Sequence, residues 1–96
     1  MELIQTNHFK KVYKKLHQNQ LAECNAAIQG IIDNPEIGEQ KAGDLDWLRV
    51  YKFYMQNQLT LLGYSVNKIE ATNEITKITL ICLGSHENFY RDLKKL

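Results

Sequence analysis

"LRVYKFYMQNQLTLLGYSV", residues 48–66, decides how this chain folds. Apolar and polar side chains alternate imperfectly along it, and aromatic and β-branched residues suit a pleated, half-buried surface. "QN" at 56–57 makes a tight turn, so "LRVYKFYM" and "QLTLLGYSV" read as two strands of a hairpin. Beyond it, "NKIEATNE" reads as a polar loop. "ITKITLICLG" is a third strand, apolar enough to lie inside a sheet. Upstream of Gly43 the period is helical instead. Phe9, Val12, Tyr13 and Leu16 share one helical face, and Leu21, Cys24, Ile28, Ile31 and Ile32 repeat the spacing. Thr6 or Asn7 offers an N-cap to the first helix, and Asn19 breaks it and caps the second. "DNPEIG" ends the second, because the residue before Pro35 is pushed out of the helical region and Gly38 permits a turn. "MELIQT" is a short edge strand. Ser85 can cap a closing helix that turns Phe89 and Leu93 inward. The result is one α+β domain over residues 1–96 in the order β-α-α-β-β-β-α. An N-terminal edge strand and a helical hairpin pack on an antiparallel β-sheet whose other face is open beside the last helix.

The bulk composition narrows the function classes. The chain has 96 residues, 44% hydrophobic and 24% charged, which fits a folded domain rather than a disordered one. No apolar run approaches the roughly 20 residues of a membrane span, and the N-terminus lacks a signal-peptide pattern. The expected location is the cytoplasm, away from membranes. Cys24 and Cys82 lie far apart without His or Cys neighbours, so they read as small buried hydrophobes rather than a disulfide or zinc pair. No metal site and no cofactor is expected. Paired carboxylates, a phosphate-cradling glycine loop and a serine-nucleophile motif are all missing from the sequence. The net charge of +1 conceals local polarity. Lys10, Lys11, Lys14 and Lys15 cluster without an acid, whereas Asp33, Glu36, Glu39, Asp44 and Asp46 face only Lys41. Such a basic patch attracts RNA locally, since screening confines its field to about 8–10 Å.

The candidate site gathers around "GSHENFYRDL", residues 84–93. His86 follows a strand end directly, where an imidazole can be held at the sheet rim and still exchange protons near neutral pH. A solitary histidine at a helix start is also an ordinary surface residue. Arg49 and Lys52 can hold a phosphodiester and offset charge in its transition state, although their strand parity differs. Tyr90 and Phe89 offer stacking planes for an unpaired base. Phe89 suits the core, which leaves Tyr90 as the functional candidate. Arg91 can meet a phosphate, or pair with Asp92 and Glu87. The first-helix lysines are a solvated face whose single sign favours RNA contact.

Nearly the full length resembles the RelE/ParE superfamily of bacterial type II toxins. The resemblance rests on "NPEIGEQKAGDLDWLRVYKF", "QLTLLGY" and "ITLICLGSHENFYRDL", and the last segment looks like the ending of the YafQ-like branch. It implies a microbial-RNase-like sheet, neutralisation by a cognate antitoxin, and cleavage of mRNA on the ribosome by metal-free 2′-OH attack. The histidine of the "GSH" motif maps onto His86 and its downstream aromatic onto Phe89 or Tyr90. On this expectation His86, Tyr90 and Arg49 are catalytic, and Lys52, Arg91, Lys10, Lys11, Lys14 and Lys15 bind RNA or phosphate. The strand "QLTLLGY" lacks the arginine that many RelE-type members carry there. That departure keeps a second reading open, a ParE-like protein that inhibits DNA gyrase without being a nuclease.

Overall fold

A computed structural model describes residues 1–95. Its elements are β1 (Glu2–Gln5), α1 (Asn7–Lys14), α2 (Gln18–Asp33), β2 (Glu39–Gln40), a short 3-10 turn (Gly43–Leu45), β3 (Arg49–Met55), β4 (Gln58–Ile69), β5 (Glu74–Gly84) and α3 (His86–Leu93). The α+β order matches the sequence expectation, with β2 as an addition. The sheet runs β1-β5-β4-β3-β2. β3, β4 and β5 form the antiparallel meander, but β1 pairs with β5 in parallel, so the sheet is mixed. The long connection that these parallel neighbours require runs through the hairpin α1–α2 and then through β2, β3 and β4.

Local signals explain most boundaries. The Thr6 hydroxyl accepts from the Phe9 amide and donates to the Ile81 carbonyl (2.9 Å), capping α1 and tying its entry to β5. The second cap differs from expectation. His17 takes the N-cap position and Asn19 lies inside the helix, where it bonds the hairpin tip through Gln56 (2.9 Å). Gln56 and Asn57 both have positive φ (52° and 64°), the conformation that matches a two-residue turn to the twist of its strands. Glu23 of α2 accepts from the Gln56 amide (3.1 Å), which holds a residue with little intrinsic preference for that conformation. The polar segment at 67–74 is half strand rather than all loop. β4 and β5 continue to Ile69 and Glu74, leaving four residues to turn.

Both faces of the sheet are packed. On one side, Phe9, Cys24, Ile28 and Ile31 of the helices meet Met55, Leu62, Tyr64, Ile78, Leu80 and Leu83. On the other, Phe89 of α3 meets Leu48, Val50, Leu61, Ile81 and Cys82, with Leu45, Tyr90 and Leu93 around them. The face expected to be open is therefore half covered by α3 and the segment before β3. A register shift makes this possible. Gly63 pairs with Cys82 and Tyr64 with Leu80, so Ile81 is the extra residue of a bulge. Ile81 and Cys82 consequently face the same side.

Two contacts on β4 are tight. A Cβ at Gly63 would lie 2.7 Å from the Phe89 ring, and one at Gly38 would lie 2.7 Å from the Tyr64 hydroxyl. That hydroxyl accepts from the Gly38 amide (2.9 Å) and donates to the Pro35 carbonyl (2.7 Å), stapling the turn after α2 to the central strand. Burial, partly offset by the Gly38 bond, keeps the Tyr64 phenol above its ordinary pKa.

Chemical denaturation should show Tyr64→Phe less stable by about 1–3 kcal/mol, because the Gly38 amide loses its buried acceptor. Gly63→Ala should cost about 1–3 kcal/mol by overpacking Phe89, and Phe89→Ala about 3–5 kcal/mol by leaving a cavity. Burial pushes the Cys24 and Cys82 thiols up to about 11. Both should stay protonated and react with a thiol reagent at pH 8 far more slowly in the folded protein than in denaturant.

Candidate functional site

The sheet face that carries α3 brings together residues from three separate segments. Lys52 lies opposite Leu61, and Leu61 opposite Gly84, so all three share one cross-strand row. Adjacent strands are about 4.8 Å apart, which sets Lys52 about 10 Å from the strand end that precedes His86. Gly84 ends β5, and Ser85 caps α3 by accepting from the Asn88 amide. His86 opens the helix and is exposed to solvent. Tyr90 follows one turn later, its ring edge-on to His86 at 5.2 Å and to Phe89 at 5.0 Å. The buried Phe89 anchors the helix, so the imidazole and phenol project together from a fixed base.

Lys41, the one cation of the acidic stretch 33–46, completes this face. Its ammonium lies 3.0 Å from the Glu39 carboxylate. Glu39 raises the Lys41 pKa most, burial opposes it, and the neighbouring Tyr90 phenol adds to the rise. In turn Lys41 first, then Lys52, lowers the Glu39 carboxyl below its usual range. Two lysines thus flank one carboxylate beside Tyr90. Glu39 is in place because β2 pairs Glu39 with Val50 and Gln40 with Arg49. The only sequence signal for Lys41 is its being the single cation in an acidic stretch. Its approach to Tyr90 depends on the pairing of β2.

Arg49 lies elsewhere. It is opposite Tyr64 in register and shares that residue's face, the one covered by the helical hairpin. Its guanidinium donates to the carbonyls of Glu36 (3.2 Å) and Gly38 (2.8 Å) and to the Gln40 side chain (3.1 Å). Arg49 therefore braces the turn that carries Glu39, and it does not join Lys52. Lys10, Lys11, Lys14 and Lys15 are exposed on or just after α1, and the first three line a cleft of about 400 Å³ with Gln5, Asn7 and Tyr13. Arg91 is exposed and lies 3.6 Å from Asp92. His8 of α1 lies 3.9 Å from Asp92 and 3.7 Å from the Cys82 sulfur, which links the first helix to the last.

Among the described residues no helix is long and apolar enough to cross a membrane. No curated protein and no solved structure matches the chain. A family model described as "ParE-like toxin of type II bacterial toxin-antitoxin system" matches residues 3–94. That span takes in all of β1 but its first residue, the helical hairpin, the whole meander and α3, and with it every side chain of the face just described. The chain belongs to the ParE-like toxin family of type II bacterial toxin-antitoxin systems.

Proposed function

We propose that this toxin is an endoribonuclease that cleaves mRNA on the ribosome and is held inactive by its cognate antitoxin. The observation that carries this reading is the grouping of His86, Tyr90, Lys41 and Lys52 on one sheet face. Internal attack by a ribose 2′-OH needs a group to move protons, cations to hold the phosphate and a plane to orient the base. His86 is exposed and suited to take the 2′ proton or to return one to the departing 5′ oxygen. Tyr90 orders the imidazole and offers a stacking surface. Lys41 and Lys52 offset charge on the phosphorane, with Glu39 occupying the phosphate position until RNA displaces it. Arg91 and the α1 lysines extend the contact to neighbouring phosphates. In this arrangement Arg49 supports the phosphate site through the β2 turn and does not touch the scissile phosphate.

A second reading is inhibition of DNA gyrase without nuclease activity. The commitment of Arg49 to the scaffold favours it, since one cation fewer faces His86.

Primer extension on ribosome-bound mRNA separates the two. A folded His86→Ala variant should cleave about 10²–10⁴-fold more slowly than the parent and should no longer arrest growth. If that variant keeps full toxicity and inhibits gyrase supercoiling in vitro, the gyrase reading replaces the nuclease one. Glu39→Gln should tighten RNA binding by freeing both lysines, and its affinity should fall more steeply with salt. Weaker binding in Glu39→Gln would remove the phosphate role of Lys41 and Lys52.

A further inference from the structure

Trp47 is the chain's single tryptophan, and 49% of it is exposed. Its indole N–H donates to the Asp44 carbonyl (3.2 Å), so the ring is held in one orientation while its face remains open. Together with Gln40, Asp46, Arg49, Val66 and Lys68 it lines a cleft of about 260 Å³. Arg49 spends three of its five donors on the 36–40 turn, which orients the guanidinium and leaves two donors free. The Lys68 ammonium lies 3.3 Å from the Glu36 carboxylate, exposed enough to swing toward a stronger anion. Gln40 donates to the Asp46 carbonyl (2.9 Å), so the polar rim has a defined shape.

Tryptophan and arginine also anchor protein interfaces, but there they are set within a broad, desolvated contact. Here a single ring stands among two cations, a carboxylate and an amide, in a space suited to one base and its sugar. We propose that this cleft is a subsite for one nucleotide of single-stranded RNA. The base stacks on Trp47, its edge meets Gln40 and Asp46, and the adjoining phosphate meets Arg49 and Lys68. The proposal rests on the reading of this toxin as an RNA-binding enzyme. Arg49 and Val66 belong to the hairpin side of the sheet, so the nucleotide held here flanks the cleavage position rather than occupying it. Arg49 and Lys52 are three residues apart on β3, on the order of 10 Å. A short stretch of RNA passing around the two-residue strand β2 therefore reaches both.

The single tryptophan makes the test direct. Full-length His86→Ala protein, used so that RNA stays intact, is titrated with a short single-stranded RNA while Trp47 emission and the anisotropy of labelled RNA are followed. Saturable quenching in step with the anisotropy is expected. Trp47→Ala should weaken binding about 5- to 150-fold, and Trp47→Phe should restore most of the loss. Lys68→Glu should weaken binding and flatten its salt dependence. RNA binding that leaves Trp47 emission unchanged, or undiminished affinity in Trp47→Ala, overturns the subsite while leaving the nuclease reading intact. An emission change that appears only when the antitoxin is added assigns the cleft to protein contact and also overturns it. Failure to bind RNA by either readout also overturns the subsite, whereas the proposed function falls only if primer extension shows no cleavage of ribosome-bound mRNA by the parent protein.

Discussion

The packing of this protein turns on one position in its central strand. Gly63 and Tyr64 are consecutive, so their side-chain directions oppose, and each serves a different layer. The bare Gly63 backbone admits the Phe89 ring against the sheet on one side. Tyr64 fills the other side and extends its hydroxyl to the turn after α2. Across the ladder, the bulge at Ile81 changes the parity of β5, so that Ile81 and Cys82 both join the layer around Phe89. An unbroken alternation would have turned one of the pair toward the helical hairpin.

The candidate site inherits its geometry from these contacts. Phe89 fixes α3, and α3 fixes the pairing of His86 with Tyr90. Tyr64 and Arg49 fix the 35–40 turn, and the turn fixes β2, which brings Glu39 and Lys41 beside Lys52 and Tyr90. None of the catalytic candidates needs to be buried for this to work. Rigidity is supplied from beneath, by Phe89, Tyr64 and Arg49, while the polar groups of the face remain at the surface.

Charge is divided in a way that the near-neutral total conceals. Lysines of α1 lie on the hairpin side, Lys41 and Lys52 on the side of α3, and Arg49 and Lys68 near the β2 edge. In this last group the carbonyls and carboxylates of the 36–40 turn already hold the cations in position. A nucleic acid following all three groups would wrap the sheet edges rather than lie on one face. That arrangement suits a flexible single strand better than a stiff duplex.

Periodicity alone determined the element order, because the change from a helical repeat to alternation after Gly43 has no other economical reading. It also placed Phe9, Ile28, Ile31 and Phe89 in the core, since helical spacing specifies which side chains share a face. His86 and Tyr90 were legible as a pair for the same reason, being four residues apart on one helix. Lys52 and Arg49 could be told apart only by parity, and what Arg49 does instead required the folded turn at 36–40. The parallel pairing of β1, the two-residue strand β2, the extension of β4 and β5 through a polar segment and the bulge at Ile81 were all decided by tertiary structure. Each depends on backbone hydrogen bonds between distant residues, and those bonds carry no side-chain period. Lys41 is the functional consequence. Nothing within its own stretch relates it to Tyr90, forty-nine residues later, until β2 pairs with β3 and α3 closes over the sheet.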